Sequence, residues 1–81
     1  DIIFLSTLGE ISKIIINNKN ISLNEVSYDL NKNQFILELE MSSFEDIEVL
    51  KSVMIRSGLV VEVGSSRRFG ASILSQIIVK N

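Results

Sequence analysis

The pattern of this chain occurs twice: residues 4–41 and residues 44–80 each carry one amphipathic helical stretch followed by two alternating, strand-like runs. A helix-hairpin unit leaves one apolar sheet face and one apolar helix stripe uncovered, so two such units side by side can bury each other. The repeat predicts one domain over residues 1–81, made of a unit over about 2–41 and a second over about 42–80. No proline and no Gly/Ser-rich linker interrupts it, so no internal boundary is expected.

Within the first unit, Phe4, Leu8, Ile11 and Ile15 fall on one side of a 3.6-residue period, and Leu5, Ile14 and Ile16 widen the stripe. Thr7-Leu8-Gly9-Glu10 fits a capping box, which places the helix start anywhere from Ile2 to Leu8. Asn17-Asn18-Lys19-Asn20 supplies the stop, because asparagine tolerates the left-handed conformation that ends helices. Ile21 and Leu23 alternate out of phase with Val26, Tyr28 and Leu30, which predicts a bulge near Asn24 and Glu25. After a turn at Asn31-Lys32-Asn33, the residues Phe35, Leu37, Leu39 and Met41 alternate without a fault.

The second unit opens with Ser42 three residues before Glu45, a capping-box spacing, and has Glu45 and Asp46 where a helix dipole favours anions. Phe44, Ile47, Leu50, Val53 and Met54 form its apolar face, and Gly58 is a natural terminator. A strand over Leu59–Val63, a long polar turn over Gly64–Gly70 and a last strand over Ala71–Lys80 follow. The elements predict an α+β fold: a four-stranded antiparallel sheet with both helices on one face, a circular permutation of the ferredoxin-like fold. By analogy with that fold the second and fourth strands are central and the first and third are edges.

Composition narrows the chemistry. The 81 residues include no Cys and no His, which removes disulfides, the usual zinc ligands and the two commonest acid-base or nucleophile partners. No metal site, cofactor site or catalytic residue is assigned. A net charge of -2 opposes binding to a phosphate backbone, so nucleic acid is not an expected partner. A core this small supplies about 3–5 kcal/mol, which leaves room for stabilisation by a partner chain or a tether. No run reaches the ~20 apolar residues of a membrane span. The start at Asp1-Ile2-Ile3-Phe4-Leu5 looks like a cut from a longer protein, with any membrane segment expected upstream of Asp1.

Two polar features each have a plain structural explanation. Glu38 and Glu40 share one side of a strand, where a solvated face explains them better than a catalytic carboxylate pair, which needs a cleft. Arg67-Arg68, within Gly64-Ser65-Ser66-Arg67-Arg68-Phe69-Gly70, reads as an ordinary hairpin loop or as a basic partner-contacting one. The less ordinary feature is the sheet face opposite the helices. If Phe35, Leu37, Leu39, Val61, Val63, Ile73 and Ile77 point to the core, then Ile36, Val60, Leu74 and Ile78 point outward, beside Glu62. Clustered apolar residues there mark a contact surface. The expected partner contacts are Ile36, Val60, Glu62, Arg67, Arg68, Leu74 and Ile78. The Leu59–Val63 strand, with Glu62 as its one charge, is also a weakly guarded edge to which a partner can add a strand.

The segment from Ser43-Phe44-Glu45-Asp46-Ile47 through Ser57-Gly58-Leu59-Val60-Val61-Glu62-Val63-Gly64, closing with Ile73-Leu74-Ser75-Gln76-Ile77-Ile78-Val79-Lys80, resembles the C-terminal end of the L subunit of the bacterial type II secretion inner-membrane platform. The similarity lies in the order of parts: a capped helix, a Ser-Gly break, a strand carrying Val-Glu-Val, a Gly/Ser/Arg turn and a final strand. It covers residues 42–80 in sequence texture and the whole chain in architecture. The resemblance implies a periplasmic, non-catalytic assembly module of a protein that crosses the inner membrane once. It further implies a homodimer that pairs with the M subunit and helps couple the cytoplasmic ATPase to the pseudopilus. A platform subunit of a type IV pilus shares this architecture. A ligand-binding or acylphosphatase-like ferredoxin-like domain is the alternative from another class, resting on Arg67-Arg68 and the many asparagines.

Overall fold

Alternation and helical spacing resolve into six elements: α1 (Ile2–Asn17), β1 (Ile21–Asp29), β2 (Gln34–Met41), α2 (Phe44–Arg56), β3 (Val60–Phe69) and β4 (Ser72–Lys80). The computed structural model describes residues 2–81, and Asp1, the expected cut end, lies outside them. The four strands form one antiparallel sheet in the order β1-β2-β4-β3, so the second and fourth strands are central as expected. Both helices lie on one face.

The helix α1 buries Ile11, Ile14 and Ile15 and packs Phe4 and Leu8 at the margin of the core. Leu5 and Ile16, expected to widen the buried stripe, are instead 65% and 76% exposed. At 100° per residue they lie roughly 100–120° from the centre of that stripe, too far round to reach the sheet. Because α1 begins at Ile2, Thr7-Leu8-Gly9-Glu10 lies inside the helix and caps nothing. Nor does a left-handed asparagine end it: among the described residues the non-glycine at positive φ is Asn33. The last turn tightens instead, with Asn18 N–H donating to the Ile15 carbonyl over 3.0 Å and Ile21 N–H to that of Asn18 over 3.2 Å.

The cap of α2 is Ser43, one residue later than the expected Ser42; its Oγ accepts from the Glu45 N–H over 3.1 Å. Ile47, Leu50 and Met54 are buried, whereas Phe44, expected on the apolar face, is 50% exposed. At the other end Gly58 sits at φ 91° just beyond the Ser57 cap. Its N–H donates to the Ile55 carbonyl and the Leu59 N–H to that of Met54, a Schellman closure that turns the chain into β3.

Each hairpin carries its own turn chemistry. Between β1 and β2, Asp29 Oδ1 accepts from the Asn31 and Lys32 N–H groups and Asn33 takes φ 51°. The β3–β4 connection departs from expectation. Residues 64–69 continue β3 instead of forming a loop, and the turn shrinks to Gly70-Ala71, with Gly70 at φ 61° as a primed hairpin turn requires. The extra length is absorbed by a bulge between Val63 and Ser66, and β1 has its bulge between Leu23 and Glu25, where the phase of its sequence breaks.

The core lies between the sheet and the helices. Phe35, Leu37, Leu39 and Met41 of β2 and Ile73, Ile77 and Val79 of β4 meet Ile11, Leu50 and Met54 from above, with Val61 and Val63 packed at the side. Burying each large aliphatic chain contributes about 1.5–3 kcal/mol before entropy is counted. The buried Ser75 of β4 is satisfied by Ser66, Oγ to Oγ at 2.8 Å across the β3 bulge. At one end Phe4, Tyr28 and Phe35 form a three-ring cluster with centroids 4.7–5.1 Å apart.

Candidate partner interface

Strand register decides which outward side chains become neighbours. Across the open face, one row runs Ser27, Ile36, Ile78, Glu62. A second contains Glu25, Glu38 and Gln76, opposite the bulge, and a third runs Ser22, Glu40, Leu74, Arg67. Ile36 and Ile78 are therefore direct cross-strand partners, Val60 is one row away beside Lys80, and Leu74 stands apart on the far side of the Glu38–Gln76 row. The expected cluster of four apolar residues divides in two. Ile36, Leu74 and Ile78 are half-buried, and Val60 is 61% exposed.

Two of the carboxylates on this face, Glu38 and Glu40, are held by amides. Gln76 Nε2 donates to Glu38 Oε1 over 3.0 Å, and Asn24 Nδ2 to Glu40 Oε1 over 3.2 Å. Glu38 and Glu40 thus stand on an open sheet, tied to neutral partners, with no cleft in which to share a substrate. Among the described residues no group of Asp, Glu, His or Cys could hold a metal ion.

Arg67 and Arg68 do not share a loop. Arg67 pairs with Leu74 on the open face, its guanidinium carbon 5.7 Å from the Phe69 ring centroid. Arg68 pairs with Ile73 and points to the helix side, 5.9 Å from the Phe44 ring centroid. Placed on opposite faces, the two cannot converge on one phosphate, which removes the geometry an acylphosphatase-like site needs.

Exposed apolar side chains also lie away from the open sheet face, on α1 and β1. The side of α1 bearing Glu10, Ile14 and Asn17 faces α2 across a cleft also lined by Val49 and Val53. Leu5 and Ile16 occupy the opposite flank, which overhangs the edge strand β1. There Leu23 and Val26, paired with the buried Leu39 and Leu37, point to the helix side yet remain 39% and 43% exposed, in the stretch of β1 between the buried Ile21 and the Tyr28 end, where Phe4 of α1 meets the Tyr28 ring. That end closes in a shallow hollow of about 470 Å³ between Phe4, Tyr28, Leu30 and Asn33. The detectable signal was angular: Leu5 and Ile16 already lie off the stripe centre on a helical wheel.

Both edge strands are interrupted by bulges, which limit how far a partner strand can extend along either. On β3 the apolar stretch Val60–Val63 is thereby separated from the basic stretch Ser66–Phe69. Among the described residues, no helix is long and apolar enough to cross a membrane.

This geometry has close counterparts. The crystal structure of the periplasmic domain of XcpY superposes with a TM-score of 0.88 at 24% identity, covering 94% of this chain and 97% of that one. The periplasmic domain of EpsL from Vibrio parahaemolyticus gives a TM-score of 0.83 at 20% identity, covering 100% of this chain and 96% of its own. In sequence, the type II secretion system protein L of Pseudomonas aeruginosa is 24% identical over 75 residues, which span 93% of this chain but 20% of that protein. The model of the family described as the GspL periplasmic domain matches residues 3–81. With nearly its whole length matched, and with the four-stranded sheet and paired helices in place, this chain belongs to the GspL periplasmic domain family.

Proposed function

We propose that this domain is a non-catalytic assembly module at the periplasmic face of the bacterial inner membrane, where it self-associates and pairs with the M subunit of the type II secretion platform. The observation that carries the reading is the uncovered apolar shelf formed by Leu5 and Ile16 of α1 with Leu23 and Val26 of β1. Exposed apolar side chains concentrated along one helix-strand seam favour association, because each one covered removes area from water at roughly 25 cal/mol per Å². Ile36, Val60, Glu62, Leu74 and Ile78 on the open sheet face form a second, more polar contact area, left for a different partner or a different state. Membership of the GspL periplasmic family supports the assignment to secretion. The role of the whole protein, joining the ATPase to the pseudopilus from a tether upstream of Asp1, extends well beyond the fifth of the relative that this chain matches.

The reading is tested by sedimentation of the chain across a wide concentration range, alone and mixed with the periplasmic domain of the M subunit. Self-association and a mixed complex are expected. Leu5→Asp and Val26→Asp weaken one or both while the circular dichroism spectrum stays unchanged. A strict monomer with no mixed complex overturns the assignment, as does acyl-phosphate turnover that disappears in an Arg67→Ala, Arg68→Ala chain.

A further inference from the structure

The C-terminal half of β3 combines three properties that nothing in the core requires. It is the outer edge of the sheet, so one side of its backbone has no neighbouring strand. It presents two consecutive arginines, both exposed, to opposite faces of that edge. Each guanidinium also lies near an exposed aromatic ring, Arg67 by Phe69 and Arg68 by Phe44, with those rings 64% and 50% exposed. Among the described residues neither guanidinium is in an ion pair; Glu45 and Asp46 in the first turn of α2 leave Arg68 free of one.

We infer that the Ser66–Phe69 edge docks an extended segment of a partner protein that carries two adjacent carboxylates. Alternation selects this ligand. In an added strand, consecutive side chains point to opposite faces, so neighbouring carboxylates fall one beside Arg67 and one beside Arg68. The backbone supplies ladder hydrogen bonds and the guanidiniums supply charge complementarity, the two components of recognition by strand addition. A single phosphate cannot reach both cations, and a flat anionic membrane meets only the one on its own side of the sheet. A second copy of this chain does not fit either. Its one pair of adjacent carboxylates, Glu45-Asp46, is wound into the first turn of α2 and is not available as a strand. The bulge between Val63 and Ser66 sets the footprint, because it interrupts the edge and limits the docked segment to a few residues. Contact of that size makes the interaction weak and salt-sensitive, suited to a partner held nearby by other contacts. The inference does not depend on the association surface at α1 and β1.

The experiment titrates the ¹⁵N-labelled chain with two blocked synthetic peptides of equal composition, one with adjacent glutamates between valines and one with the glutamates separated by a valine. The adjacent peptide is expected to shift the amides of Ser66–Phe69 and Phe44 at lower concentration than the separated one. Arg67→Ala and Arg68→Ala should each weaken that binding about two- to fivefold, the range for an exposed ion pair, and raised salt should weaken it further. Equal response to both peptides overturns the inference, as does the same pattern of shifts with inorganic phosphate. Binding to phosphatidylglycerol vesicles that depends on both arginines overturns it in favour of a membrane surface. Loss of the shifts with unchanged spectra elsewhere separates a lost site from a lost fold in either variant.

Discussion

Gln76 and Glu38 meet across the two central strands, Nε2 donating to Oε1 over 3.0 Å in the row that divides Ile36 and Ile78 from Leu74. The same Gln76 lies over the bulge of β3, opposite Gly64. A Cβ built on Gly64 would stand 2.6 Å from Gln76 Oε1 and 3.3 Å from its Cβ and Cδ. One polar side chain therefore joins β2, β4 and the β3 bulge, and glycine is the residue that leaves it room.

Gly64→Ala must push the Gln76 amide aside and strain its bond to Glu38. The expected loss is about 1 kcal/mol, the size of one hydrogen bond. In a Gln76→Ala background most of the loss should vanish, because the crowded amide is gone. A double-mutant cycle by urea denaturation measures the coupling; equal losses in both backgrounds would assign the bulge glycine to backbone conformation alone.

Two other glycines are predicted to respond with opposite signs. Gly58 closes α2 at φ 91° with open space around it, so Gly58→Ala meets no clash and pays only for the left-handed backbone, about 1–2 kcal/mol. Gly9 lies inside α1, also with open space, and Gly9→Ala should stabilise by up to about 1 kcal/mol. Thermal melts read both. A fall at Gly9 would show that its surface is occupied by a neighbour, as self-association along α1 would produce.

Phe35 is 1% exposed and its ring meets both Phe4 and Tyr28. Phe35→Ala is expected to remove about 3–5 kcal/mol, comparable to the whole stability of a domain this small, and to leave the chain unfolded by circular dichroism. Tyr28→Phe keeps the ring and loses only hydroxyl contacts, to Asn33 Oδ1 at 3.3 Å and from Asn81 Nδ2 at 3.0 Å. It should fold with a loss below about 1.5 kcal/mol.

The two candidate association surfaces separate by substitution. Val26→Asp changes the seam between α1 and β1, and Val60→Asp changes the open face, each at an exposed position where folding is little affected. If the seam is the self-association surface, Val26→Asp shifts the sedimentation profile towards monomer and Val60→Asp does not. The reverse result would place self-association on the open face.

The central place of the second and fourth strands came from analogy with the ferredoxin-like fold, but the sequence alone carries the six elements and the bulge in β1, because these follow from local periodicity and from the burial that each period demands. It also excluded thiol and imidazole chemistry outright, since those residues are absent. What it misplaced were matters of position relative to a neighbour. Gly64–Phe69 looked like a loop by composition, yet β4 offered it a partner strand, and backbone pairing overrode a weak local preference. Leu5 and Ile16 looked like core because they are apolar, but whether a flanking residue is covered depends on where the helix lies over the sheet. The separation of Leu74 from Ile36 and Ile78, and of Arg67 from Arg68, depends on register and facing, which only strand pairing sets. Periodicity is a property of one element and can be read along the chain. Exposure and adjacency are properties of pairs of elements, and the tertiary structure alone decides them.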